Sequence, residues 1–182
     1  MTELAVGQEI PLSGRLRMGL GWDQVPNAGA LSSAGRHHVD LDASAVEFGG
    51  GRLYDIAFYN NATTRDGSVV HLGDNTTGSG TGDDETITVD LDRVHRQIDT
   101  IFLLVTSYQG QTLEWIANAY CRVVGEDDQE IARITLTLGI PDTGVVLARI
   151  ARDGEGWTLR ALGEPVPVTI PTQSEKALAR LL

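Results

Sequence analysis

Along most of the chain, apolar residues recur with a step of two. Ile87, Val89 and Leu91 alternate with Thr86, Thr88 and Asp90, and Ala132, Ile134, Leu136 and Leu138 alternate with Ile131, Arg133, Thr135 and Thr137. Successive side chains of a strand point to opposite faces, so a step of two predicts strands with one buried face. The run Ile101-Phe102-Leu103-Leu104-Val105 is apolar throughout and predicts a central strand covered on both faces. Further strands are predicted over residues 15–21, 38–48, 53–59, 115–124, 145–152 and 157–162. Turn signals separate them: Gly49-Gly50-Gly51, Asp66-Gly67, residues 125–128, and Asp153-Gly154, which reads as a hairpin turn. Many short strands at such spacing predict an all-β sandwich or barrel. Helix signals are few: one turn over 92–97, and a short C-terminal helix over 175–182 capped by Ser174. Leu178, Leu181 and Leu182 share a face of that helix, which suits packing on the sandwich before self-association. Trp22, Trp115 and Trp157 are expected to anchor the core.

Composition narrows the partners. The chain has 182 residues, 41% of them hydrophobic, which is enough for one domain spanning 1–182 to bury a core without disulfides. A net charge of −11 leaves no basic stripe for phosphates, so nucleic acid is a poor partner. An acidic surface suits cations or a basic protein. The single cysteine, Cys121, excludes an intramolecular disulfide and sits in a strand-like run, where a buried and inert thiol is expected. Without a basic start followed by an apolar run, and with no apolar stretch longer than 101–105, the expected location is the cytoplasm, with no direct membrane insertion.

Residues 60–92 read NNATTRDGSVVHLGDNTTGSGTGDDETITVDLD. They hold seven acids (Asp66, Asp74, Asp83, Asp84, Glu85, Asp90 and Asp92) against one base, Arg65. Clustered carboxylates repel one another unless a positive charge sits among them. Calcium takes six to eight oxygens in adaptable geometry, and Asp, Asn and glycine-rich backbone supply them. There is no Cys or His cluster at zinc spacing, and magnesium demands a stricter octahedron. Residues 74–85 span twelve positions, acid first and glutamate last, like an EF-hand loop. Yet Ser79 holds the sixth position, where that loop needs glycine, and no helices flank it. Composition therefore leaves two readings, a loop-type calcium site or a merely solvated loop.

Four motifs in order carry a resemblance: Gly19-Leu20-Gly21-Trp22-Asp23, Asp40-Leu41-Asp42-Ala43-Ser44, Phe58-Tyr59-Asn60-Asn61, and the run DGSVVHLGDNTTGSGTGDDE over 66–85. Together they resemble the TerD domain of tellurium-resistance and general stress proteins, over about residues 4–162. The resemblance implies a β-sandwich of two packed sheets, calcium at neighbouring sites (two ions), and a non-enzymatic role in bacterial resistance to tellurite, phage, colicins or other stress. Implied partners are other proteins of that system, membrane-bound ones among them. Carried onto matching positions, the implied ligands are Asp23, Asp40, Asp42, Asn60, Asn61, Asp66, Asp74, Asn75, Asp83, Asp84 and Glu85, with backbone oxygens near Gly67, Gly78 and Gly80. Past about Gly163 the chain, including the tail at 170–182, departs from the family's usual ending.

Other residues invite chemistry less strongly. His37-His38 reads as strand surface, and His71 as a hydrogen-bonding residue that holds the loop. Asp83 and Asp84 could serve as acid and base in a metal-assisted hydrolase or phosphatase, the alternative to a calcium module. Metal preference, calcium against magnesium or manganese, separates the two.

Overall fold

The computed structural model describes residues 2–24, 40–73, 82–135 and 139–182, with only the backbone of Gln24, Trp115, Ala117 and Asn118. Twelve strands run in order: β1 (Thr2–Glu3), β2 (Glu9–Leu12), β3 (Arg15–Gln24), β4 (Leu41–Gly49), β5 (Arg52–Ala57), β6 (Val69–His71), β7 (Glu85–Asp90), β8 (Thr100–Ser107), β9 (Ile116–Val124), β10 (Glu130–Thr135), β11 (Gly144–Asp153) and β12 (Gly156–Val166). They form two six-stranded sheets, β1-β10-β9-β3-β7-β6 and β2-β12-β11-β8-β4-β5. Every pairing is antiparallel except β1 with β10. The two sheets pack as a β-sandwich. β1, β2 and β6 are too short for periodicity to reveal.

The step-of-two pattern explains the core. Leu16, Met18, Leu20 and Trp22 of β3 and Ile87 and Val89 of β7 meet Leu41, Ala43 and Ala45 of β4 and Ile101, Leu103 and Val105 of β8. Trp157 joins the same cluster. Cys121 lies within it, and burial pushes its thiol up to about 12, so it stays protonated and inert. β8 is covered on both faces as its sequence predicts, because Phe102 and Leu104 point away from this core into a second cluster with Val46, Phe48, Ile56, Phe58, Val146, Val166, Val168 and Leu178.

The C-terminal segment roofs that second cluster. The helix is one turn, α1 (Glu175–Leu178), followed by a 3-10 turn over Ala179–Leu181. It is shorter than the 175–182 expected. Nor does the Ser174 side chain cap it; only the Ser174 carbonyl takes part, accepting from Leu178 N. So short a helix is not stable alone. Arg52 Nε and Leu53 N bond Glu175 Oε1 at 2.7 and 3.2 Å, and Arg149 Nη1 donates to the Leu181 carbonyl at 2.9 Å. Leu178 is fully buried and Leu182 exposed. Residues 92–97 form turns rather than a helix. β12 continues through Glu164-Pro165-Val166, longer than the 157–162 expected; β2 with Gly7 and Gln8 bonds it only as far as Ala161, and past that point this side is an edge where proline is tolerated. At the β11–β12 turn Gly154 has φ +61°, which glycine adopts without strain. Among the described residues no helix is long and apolar enough to cross a membrane.

Leu178→Ala should cost about 2–5 kcal/mol of unfolding free energy by opening a cavity under the roof, and Leu182→Ala almost nothing. Urea unfolding of both variants measures the difference; equal costs would contradict this packing.

Candidate cation site

Three consecutive acids at the start of β7 leave the chain in three directions. Asp83 lies flat on the outer face of β3, over Gly19. Arg122, paired with Gly19 in the neighbouring β9, holds both of its oxygens, Nε to Oδ1 at 2.7 Å and Nη2 to Oδ2 at 2.9 Å. A Cβ at Gly19 would stand 2.0 Å from Asp83 Oδ2, and one at Gly21 would stand 2.5 Å from the Tyr120 ring. Tyr120 Oη in turn donates to the Gly82 carbonyl at 3.1 Å. Hence the Gly-Leu-Gly-Trp passage: Leu20 and Trp22 point into the core, and the two bare outward positions let the acidic loop's end lie on the sheet.

Asp84 extends the ladder. Its N–H donates to the Leu20 carbonyl at 2.7 Å, and its Oδ2 accepts from Trp22 N at 3.1 Å. Burial raises its carboxyl above the usual range; the Trp22 N–H opposes this, and the charges of Asp23 and Asp83 add to it. Arg17, Leu72, Gly73, Asp84 and Thr86 line a shallow groove of about 330 Å³ there.

Glu85 turns inward, as Ile87 and Val89 do after it, and its side chain is fully enclosed. It reaches the other sheet. Pairing of β5 with β4 ends at Ala45, so the Ala43 N–H has no strand partner, and Glu85 Oε2 accepts from it at 2.5 Å. His71 is buried beside them. Its Nδ1 accepts from Gly73 N at 3.4 Å, and its Nε2 lies 3.4 Å from Glu85 Oε2. The loop that His71 was expected to hold, residues 74–81, lies outside the described residues.

The remaining candidates sort by position. Asp42 precedes Ala43 and is buried, facing the opposite side of β4; the Asp40 carbonyl accepts from Tyr108 N at 3.2 Å. Asp23 is exposed at the end of β3, where its charge acts on Asp84. Asn60 and Asn61 form an exposed turn closed by two Phe58–Asn61 backbone bonds of 3.0 Å, with Asn61 Nδ2 donating to the Ile56 carbonyl at 2.7 Å. Asp74, Asn75, Gly78 and Gly80, like His37-His38, lie outside the described residues. Among the described residues no group of three or more His, Cys, Asp or Glu side chains gathers as a metal cluster.

Asp66 and Gly67 stand apart. Asp66 caps its own turn, accepting from Thr64 Oγ1 (2.8 Å), Ser68 N (3.0 Å), Ser68 Oγ (2.9 Å) and His95 N (2.9 Å). Burial pushes its carboxyl up, but those donors hold it below the usual range. Ser68 Oγ also lies 2.9 Å from Glu47 Oε1. Glu47 shares the inner face of β4 with Ala43, four residues or about 13 Å away, so the Asp66 turn and Glu85 occupy opposite ends of the strand. Sequence reasoning missed Glu47, although a glutamate in step with Leu41, Ala43 and Ala45 was the available signal. The Ser68 hydroxyl is thus the donor set between two carboxylates, Glu47 Oε1 and Asp66 Oδ1, each at 2.9 Å. Burial, then the Asp66 charge, raise the Glu47 carboxyl to about 7.

The fold and this site define a two-sheet β-sandwich with the end of an acidic, glycine-rich loop pinned to one of its ends. The chain belongs to the TerD-domain family, whose profile matches residues 1–172. The match continues past Gly163, where the sequence alone suggested a departure, and takes in all of β12. The chain is 37% identical over 172 residues to the tellurium resistance protein TerZ of Serratia marcescens, covering 90% of this chain and 89% of that one. It is 35% identical over 180 residues to the stress response protein SCP2 of Bacillus subtilis, covering 88% and 90%. The crystal structure of a homologue of telluride resistance protein (TerD) from Streptomyces coelicolor A3(2) superposes with a TM-score of 0.73 at 20% identity, covering 92% and 98%, and shares the fold.

Gly19→Ala should destabilise by about 1–3 kcal/mol, because Asp83 must leave Arg122. Asp83→Ala removes the clash, so the double variant should cost no more than Asp83→Ala alone, which a double-mutant cycle by denaturant unfolding measures. For Glu47 the folded carboxyl lies above the unfolded value of 4.5. Its contribution is complete below pH 4.5 and lost as pH rises through about 7, roughly 3 kcal/mol in all. Glu47→Gln should flatten that slope in urea unfolding at pH 4–8 and be the more stable protein at pH 8. An unchanged slope would place the proton elsewhere.

Proposed function

We propose that this chain is a non-enzymatic calcium-binding module of a bacterial tellurium-resistance or stress system, acting in the cytoplasm through contacts with other proteins of that system, membrane-bound ones among them. The observation that carries the reading is the burial of two carboxylates, Asp42 and Glu85, on either side of Ala43, beside an Asp84 whose ionised form is already disfavoured by burial. Carboxylates held out of water are stabilised by a positive charge nearby. The proposed donors are oxygens of carboxylates and backbone, which suit calcium better than zinc, with the His71 ring standing beside Glu85 as a positioning group. Asp23, Asp40, Asp42, Asp84 and Glu85 would hold two ions, with Asn60 and Asn61 at the rim and Asp74, Asn75, Gly78 and Gly80 contributed by the loop. Asp83 and Asp66 have a supporting part, the first pinning the loop's end through Arg122 and the second shaping its own turn. The names of the relatives, tellurium resistance and stress response, supply the biological setting. Bound calcium supplies charge neutralisation, and the protein's own residues hold the acidic end in one arrangement for a partner to read.

A ligand that binds only the folded state stabilises it by about 2.7 kcal/mol at 100 times its dissociation constant. For a chain of this length each 1 kcal/mol moves the melting midpoint by roughly 2–4 °C. Calcium should therefore raise the midpoint visibly and chelator should reverse it. Asp84→Asn should shrink the calcium-dependent part while its midpoint in chelator holds or rises, since a repelling charge is gone. A wild-type midpoint indifferent to calcium would remove the calcium reading. Turnover of a model phosphoester with magnesium or manganese, lost in Asp84→Asn, would overturn the non-enzymatic one.

A further inference from the structure

Away from Asp42, the outer face of the second sheet ends in a groove where arginines outnumber carboxylates. Ala148 and Ile150 of β11 and Trp157, Leu159 and Ala161 of β12 belong to the core, so Arg149, Thr158 and Arg160 alternate to the outer face. Arg149 and Arg160 are register partners, and Glu9 of β2 lies opposite Arg160 in turn. Like charges directly opposed across two strands, with Cβ atoms about 4.5–5.5 Å apart, destabilise the pairing. Arg160 has weak relief, for its Nη1 stands 3.7 Å from Glu9 Oε1 in a half-exposed pair. Arg149 and Arg152 bond main-chain carbonyls instead. Arg149 Nη1 donates to Leu181 at 2.9 Å, and Arg152 donates to Ile98 at 2.7 Å, Val94 at 3.0 Å and His95 at 3.3 Å. Those carbonyls are neutral, so among the described residues neither charge is matched. The carbonyls and the Trp157 ring, 4.3 Å from the Arg152 guanidinium, hold that side chain in place. Glu9, Arg149, Arg152, Asp153, Thr158 and Arg160 line a groove of about 180 Å³. Both of its carboxylates are on exposed residues. A chain of net charge −11 repels anions over most of its surface, so a local excess of positive charge singles this groove out.

We propose that the groove binds a phosphate-type dianion, free or as the end group of a small phosphate ester, between Arg149 and Arg160. A planar guanidinium donates two parallel hydrogens to neighbouring oxygens of one anion. Two such forks opposed across β11 and β12 suit an anion with oxygens on more than one side. Tetrahedral phosphate has them, whereas a carboxylate keeps two oxygens in one plane and serves a single fork. The Thr158 hydroxyl adds a donor, and its register partner Ala151 leaves room beside it. The groove is smaller than the roughly 300–1,000 Å³ of a pocket for a whole organic ligand, which suits one compact group. Gly144 lies level with Asp42 through Thr106, and Arg149 is five residues further along β11, roughly 15 Å away. The anion groove is therefore separate from the acidic end and independent of the calcium reading.

Titration of the isotope-labelled full chain with inorganic phosphate, read from its amide NMR signals, tests the assignment. Phosphate should move the signals of Arg149, Ala151, Thr158 and Arg160 to saturation and leave those of Trp22, Ala43 and Asp84 in place. Chloride at equal ionic strength should move neither set. Arg160→Gln should bind about tenfold more weakly or worse, the scale of a lost hydrogen bond to a charged group. Glu9→Gln should bind more tightly, because a repelling carboxylate is gone. Arg15→Gln, which removes an exposed guanidinium from the first sheet, should bind as wild type does. Should Arg160→Gln fail to fold by circular dichroism, Arg160→Lys, which keeps the charge and loses the fork, carries the same test with a smaller loss. Glycerol phosphate separates the two sources: binding at least as tight as phosphate assigns the groove to an ester, and weaker binding to the free ion. No shift at millimolar phosphate overturns the proposal, as do equal shifts with chloride. Arg160→Gln that binds like wild type, or Arg15→Gln that weakens binding equally, overturns it too. Shifts confined to Trp22, Ala43 and Asp84 also overturn it and place the anion at the acidic end.

Discussion

The buried carboxylate of Glu85, bonded to the Ala43 N–H of the opposite sheet, is the contact around which the acidic end is arranged. A buried carboxyl group is costly unless hydrogen-bonded, and the strand edge left where β5 stops supplies that bond. Once Glu85 points inward, alternation and the bend before β7 leave Asp84 for the Trp22 N–H and Asp83 for Arg122. The register of β7 against β3, with Leu20 opposite Glu85, agrees with these three placements. His71 closes the arrangement from β6, its position fixed by Gly73 on one ring nitrogen and by Glu85 on the other side.

β4 has polar groups at both ends and an apolar middle. At one end Asp42 and Glu85 lie about the strand; about 13 Å on, the Ser68 hydroxyl stands between the carboxylates of Glu47 and Asp66. The two clusters face different problems. The Glu47 cluster relieves its repulsion by taking up a proton as pH falls through about 7, so it costs stability as pH rises. The acidic end holds carboxylates too numerous for that, which is why a cation is the natural proposal there.

The second cluster explains why the chain runs on past β12. Val46, Phe48, Phe102 and Leu104 give the second sheet an apolar outer face, and without cover it would be an exposed patch of the kind that drives association. Residues 166–178 cover it with Val166, Val168 and Leu178, tied down by Arg52 and Arg149. The tail is therefore part of the packing, with its terminal leucine left outside.

Much of this was legible in the residues. Alternation located nine of the strands within a few positions, the unbroken run at 101–105 declared a strand buried on both faces, and the ordered motifs from Gly19 to Glu85 pointed to the TerD-domain family. Those features are local, because side-chain period and turn chemistry depend on near neighbours along the chain. What three neighbouring acids do is not local. Asp83, Asp84 and Glu85 read alike as ligands, yet a guanidinium from β9, a backbone amide of β3 and another of β4 assign them three different places. Asp66 read as one more member of the loop, and only folding set it beside Glu47 and His95, at the other end of β4 from Glu85. The sequence by itself determined the strands, the apolar faces and the supply of acidic oxygens. The tertiary structure alone decided which of those oxygens are spent on the scaffold and which are gathered at one end, because that depends on partners distant in the chain and on which strand edges are left open.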